Sequence, residues 1–132
     1  MKNIVLLILL ITSCSTEIKV GFMRVNEYKT IEIKNHLYCK LFYEKDLLII
    51  EDENKINKLI ELLNKSEEIS HPQALNMNYG VLDIYFHPKN NKAKTIKFSI
   101  IFTLYNGVIV ESLEDGKIYK NDLLEEEIRN YF

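Results

Sequence analysis

From Thr95 to Tyr105 the chain alternates, with Ile96, Phe98, Ile100, Phe102 and Leu104 set against mostly polar neighbours. Successive side chains of a strand point to opposite faces, so a period of two predicts a strand with one face buried. The same pattern predicts strands at Ile18, Val20 and Phe22, over Tyr28 to Lys34, over Leu37 to Tyr43, over Gly80 to His87, over Val108 to Ser112 and over Lys117 to Lys120. Leu47 to Ile50 is a further short apolar run. Asn35-His36, Pro88-Lys89-Asn90-Asn91 and Asp115-Gly116 supply turns. Asn106-Gly107 predicts a two-residue type I′ hairpin turn, whose central positions both need positive φ. That turn carries a conflict, because it sets Phe102 opposite Glu111 on the face read as buried. The loop is longer, a bulge intervenes, or that end of the hairpin faces solvent.

Between the strands the period changes to that of a helix. Ile56, Leu59, Ile60 and Leu63 fall at i, i+3, i+4 and i+7 behind the acidic opening Glu51-Asp52-Glu53-Asn54, where the helix dipole favours negative charge. Ser66 to Asn78 is polar, contains His71-Pro72 and reads as a long loop. Asp122-Leu123-Leu124-Glu125 fits a capping box for a terminal helix with Leu124, Ile128 and Tyr131 on one face. The predicted fold class is α+β: a mainly antiparallel sheet of five to seven strands, with one central and one C-terminal helix covering a single face.

The amino end follows another pattern. Met1-Lys2-Asn3, an apolar run from Ile4 to Ile11, and Thr12-Ser13-Cys14 have the order of a secretory signal. The run is too short to span a bilayer, which takes about 20 residues of helix. Ile11-Thr12-Ser13-Cys14 resembles the lipobox of bacterial lipoproteins. The resemblance implies cleavage before Cys14 and lipidation of its sulfur with fatty chains such as palmitate, which fix the protein to a membrane of the cell envelope. On that reading residues 1–13 are signal peptide, 14–17 a lipidated tether and 18–132 one α+β domain. Some enteric lipoproteins are retained at the inner membrane by an aspartate after the cysteine; Ser15 stands there instead, which points to the outer membrane.

Removing that leader leaves 119 of 132 residues, enough for one core. It also leaves 16 basic against 19 acidic side chains, a formal charge of −3 with the signs interspersed. Such a surface has no electrostatic footprint for nucleic acid and no basic stripe for anionic lipid, so attachment rests on the acyl chains. With Cys14 consumed, Cys39 is left alone and no internal disulfide is possible.

Candidate chemistry is sparse. Cys39 and the serines have no spacing to His36, His71 or His87 that marks a nucleophile beside its base. His36-x-x-Cys39 offers two ligands where structural zinc takes four and catalytic zinc three. Glu51-Asp52-Glu53 and Glu125-Glu126-Glu127 sit where helices begin and read as solvated first turns. Four scattered glycines make no phosphate loop. No metal, cofactor or catalytic residue is expected. Tyrosines on the strands, among them Tyr38, Tyr43, Tyr79, Tyr85, Tyr105 and Tyr119, offer amphipathic contact area. The expected function is a lipid-anchored envelope protein with a non-catalytic domain that binds a protein or an envelope polymer. Its working surface is expected at Tyr105-Asn106-Gly107 and on the loop from Ser66 to Asn78. The alternatives are a small-ligand carrier, with a cavity lined by Phe86, Phe98 and Phe102, and a small envelope enzyme of unfamiliar type.

Overall fold

A computed structural model of the chain describes residues 23–36, 45–70, 78–104 and 106–131. Its strands are β1 (Tyr28–His36), β2 (Leu47–Ile50), β3 (Glu67–Ile69), β4 (Asn78–Pro88), β5 (Ile96–Thr103), β6 (Val108–Ser112) and β7 (Ile118–Lys120). Two helices, α1 (Glu53–Leu63) and α2 (Leu124–Arg129), complete the described elements. The strands form one sheet in the order β2-β1-β4-β5-β6-β7-β3. Every neighbouring pair is antiparallel. The expected strands at residues 18–22 and 37–43 lie outside the described residues.

Cross-strand register explains the core. Ile31 faces Phe86 and Ile33 faces Ile84. Ile84 faces Phe98 and Leu82 faces Ile100. Ile100 in turn faces Val110. These side chains are buried and share one cluster with Ile56, Leu59, Ile60 and Leu63 of α1 and with Leu124 and Ile128 of α2. The Phe86 ring stands edge-on to Tyr28 at 5.5 Å and to Phe98 at 6.0 Å, a favoured arrangement for aromatic quadrupoles.

Local chemistry sets the ends of α1. The Lys55 N–H donates to Asp52 Oδ1 at 3.0 Å, which makes Asp52 the N-cap and gives the acidic opening a specific role. At the other end Asn121 Nδ2 donates to the Leu62 carbonyl at 2.7 Å and to Ser66 Oγ at 2.8 Å. A helix-end carbonyl is thereby satisfied from the segment that links β7 to α2.

Four sequence expectations are corrected. Asn35-His36 is not a turn, because β4 is long enough to extend the ladder and pairs Leu82 and Val81 with them. The segment from Ser66 is not all loop, since Glu67–Ile69 pairs with β7 as an edge strand; residues 71–77 lie outside the described residues. Asn106-Gly107 is not a two-residue turn. The Thr103 N–H donates to the Gly107 carbonyl at 3.0 Å, and Phe102 pairs with Val108 rather than Glu111. The longer loop restores parity, so Phe102, Ile100 and Phe98 stay on the buried side, and only Gly107 takes a positive φ, of 70°. Finally, Asp122 does not cap α2. The N-cap is Leu123 without a side-chain bond, while Asp122 Oδ1 accepts the Val108 N–H at 3.0 Å.

Candidate functional site

The polar positions of the adjacent strands β1, β4 and β5 fall on the other side of the sheet from Ile33, Ile84 and Phe98. Glu32 lies opposite Tyr85 and Lys34 opposite Asp83 on one flank. Lys97 lies opposite Tyr85 and Ser99 opposite Asp83 on the other. Side chains on facing positions are about 4.5 to 5.5 Å apart at Cβ, so this register makes one continuous polar cluster.

Its members satisfy one another. Asp83, mostly buried, accepts from Ser99 Oγ at 2.9 Å and lies 3.3 Å from His36 Nδ1 and 3.6 Å from Lys97 Nζ. Glu32 lies 2.9 Å from Lys34 Nζ and 3.2 Å from His87 Nε2. The Tyr85 ring has Lys34 Nζ at 5.0 Å and Lys97 Nζ at 5.3 Å from its centre, both within cation–π range. The hydrogen bond from Lys34 holds the Glu32 carboxyl below its ordinary pKa against partial desolvation, with His87 adding to the effect. The same contact raises Lys34. Desolvation works against the charge of Lys97, but Tyr85 and Asp83 outweigh it and its pKa is raised.

The arrangement has defined chemical capacities. In the tautomer with a proton on Nε2, His87 donates to Glu32 and accepts at Nδ1 from the Thr95 hydroxyl, 3.3 Å away. Hydroxyl, imidazole and carboxylate then stand in the order that activates a nucleophile, although Thr95 is exposed. Ser99 is not placed that way, since its proton goes to Asp83. Among the described residues no three His, Cys, Asp or Glu side chains converge as a metal site requires. What the face offers is paired charges around an aromatic ring. Leu47 and Ile49 of the neighbouring edge strand add exposed apolar surface, 47% and 55% accessible. Toward β6 the same face closes at Ile109, which is fully buried.

Of the residues singled out by sequence, His36, His87 and Tyr85 belong to this cluster. Cys14, Cys39, His71 and Tyr105 lie outside the described residues. At the hairpin tip the Asn106 N–H donates to Thr103 Oγ1 at 2.9 Å, and that hydroxyl donates to the Gly107 carbonyl at 2.7 Å. Gly107 is packed closely on Asp122, so a Cβ there would lie 1.9 Å from Oδ1. Ser66 is buried against Asn121. Phe86, Phe98 and Phe102 are core residues packed to near-zero exposure. Of the flagged tyrosines, Tyr119 is buried and Tyr85 sits at the middle of the polar cluster. Sequence reasoning misses the cluster as a unit. Its signal is the run of polar positions within otherwise apolar strands, which only the register joins. The chain matches no known protein family, no curated protein and no solved structure in the comparisons made.

Proposed function

We propose that the chain is a lipoprotein of the cell envelope, anchored through Cys14, whose α+β domain binds a protein or envelope polymer through the polar face of its sheet. In this reading both helices cover the face that carries Ile33, Ile84 and Phe98, and the face that carries Tyr85 meets the partner. The shared cluster of Ile56, Leu59, Leu124 and Ile128 with the sheet supports that placement. The observation that carries the binding role is Tyr85, held between Lys34 and Lys97 with Glu32 and Asp83 beside them. An aromatic with its charged neighbours already positioned loses little side-chain entropy on contact. The closely packed Phe86 and Phe98 rings favour this role over a carrier with an apolar cavity between sheet and helices.

The test is site-specific photocrosslinking in membranes from cells that make the full chain. A photoreactive residue at position 85 or 49 should give a discrete adduct, and one at Glu61, exposed on α1, should not. Equal labelling at all three positions, or none at 85 and 49, would remove this face from consideration. A second reading, a small hydrolase, draws on the Thr95, His87 and Glu32 series. It requires turnover of an activated ester that Thr95→Val abolishes.

A further inference from the structure

At the end of the sheet where β1 starts and β4 finishes, a depression of about 550 Å³ opens between the two strands and the turn that follows β4. It shares no residue with the polar face. Tyr28 and Ile96 contribute aromatic and aliphatic surface to it. Tyr28 reaches it because of a register shift: Tyr28 pairs with Pro88 but Thr30 pairs with His87, so two steps on β1 match one on β4. Without that bulge Tyr28 would fall on the same side as Glu32. The extra residue turns its side chain to the side of Phe86, and bulges commonly re-aim a side chain in this way.

The result is a phenol with an unusual environment. Tyr28 is only 6% exposed, its ring is fixed against Phe86, and among the described residues its hydroxyl has no hydrogen-bond partner. That hydroxyl lines the depression without a partner among the described residues, so it is open to a ligand. Glu27 and Glu114 stand on the rim, and neither has an ion-pair partner among the described residues. Both lie close enough that, after burial, their charges are the next causes raising the Tyr28 pKa. Of the two rim lysines, Lys89 is neutralised by Glu53 at 2.6 Å, while Lys94 has no such partner among the described residues.

The rim is also held in place. Asn26 has a φ of 66°, and its strain is secured by a reciprocal pair with Asn57 of α1, at 2.9 Å and 2.8 Å. The next carbonyl, of Glu27, accepts the Lys89 N–H at 2.9 Å and joins the two walls. The backbone at Glu27 and Lys89 is therefore set before any ligand arrives.

We propose that this depression binds a small zwitterion, with its ammonium group taken by Glu27, Glu114 and the Tyr28 hydroxyl and its anionic group by Lys94. The short apolar part between them lies on Pro88 and Ile96. An α-amino acid and the phosphoethanolamine group of a lipid share this chemistry, and the probes distinguish them. The full chain in nonionic detergent, labelled with 15N, is titrated with L-alanine, phosphoethanolamine and ethanolamine while backbone amide signals are followed. At least one zwitterion should shift Tyr28, Ala93 and Glu114 and bind more tightly than ethanolamine. A response to phosphoethanolamine alone assigns a lipid headgroup, and a response to alanine alone assigns an amino acid. Tyr28→Phe, which keeps the ring on Phe86, and the double variant Glu27→Gln/Glu114→Gln should each weaken binding about tenfold. Lys94→Ala should weaken the zwitterion and spare ethanolamine, and Glu61→Gln should change nothing. The proposal is overturned if neither zwitterion shifts these amides, if ethanolamine binds as well as they do, or if the rim variants bind like the unaltered chain.

Discussion

Gly107 shows how much one position can carry in this fold. Its φ of 70° already disfavours any side chain, and a Cβ would lie 1.9 Å from the carboxylate oxygen of Asp122 that accepts the Val108 N–H. Gly107→Ala should therefore destabilise the domain by about 2 kcal/mol or more and lower its melting temperature by several degrees. Gly116 has nearly the same φ, 68°, but a Cβ there would meet nothing within 4 Å, so Gly116→Ala should cost clearly less. Thermal unfolding of the two variants side by side separates backbone strain from collision. In sequence both glycines read alike, as turn residues after Asn106 and Asp115. What distinguishes them is Asp122, which is distant along the chain and has the sequence context of a helix cap. Tyr85 is legible as a strand residue beside apolar neighbours, but not as the centre of a cluster. Its partners Lys34 and Lys97 are brought to it from strands on either side.

At the scale of elements, periodicity carries the most. Ile56, Leu59, Ile60 and Leu63 mark α1, and all four are its buried residues. The acidic opening before them holds the N-cap, and Asp52→Ala should lower stability by about 1 kcal/mol through loss of the Lys55 N–H bond, measurable by denaturant unfolding. Where alternation is short or broken by a bulge, the pattern misleads. Glu67–Ile69 is too brief to show a period, and β1 changes side at Tyr28. Strand β7, between β6 and β3, adds a pH response. Burial, then the charge of Asp115 and the bond to its carboxylate 3.2 Å away, push the Tyr119 phenol up to about 12 from 10. A folded pKa above the unfolded one means that stability is fully present below pH 10 and falls as pH rises toward about 12. The melting temperature should decline over that window, and Tyr119→Phe should decline less steeply. An equal slope in both would assign the response to other groups.

Across the whole molecule, the α+β class and the antiparallel sheet are legible in the sequence because strands such as β1 and β5 bury one side more deeply than the other. Strand order is not, since β1 pairs with β4 and β3 with β7 through contacts distant in sequence. Sequence alone directs attention to loops and tips, where function collects in many domains. At the tip, the Asn106 N–H and the Gly107 carbonyl bond within the hairpin, while the sheet presents its own charged face. On the proposed reading that face and the lipid belong together, the short tether holding a binding domain at a membrane. Such a placement depends first on Cys14. Intact-mass analysis of the full chain, purified from bacterial membranes and compared with Cys14→Ser, is the most direct test. The expected result is a mature species that begins at Cys14 and carries the mass of its lipid, and a Cys14→Ser variant left as unlipidated precursor. A membrane-derived chain that still begins at Met1 without added lipid, or a Cys14→Ser variant that remains lipidated, would contradict it.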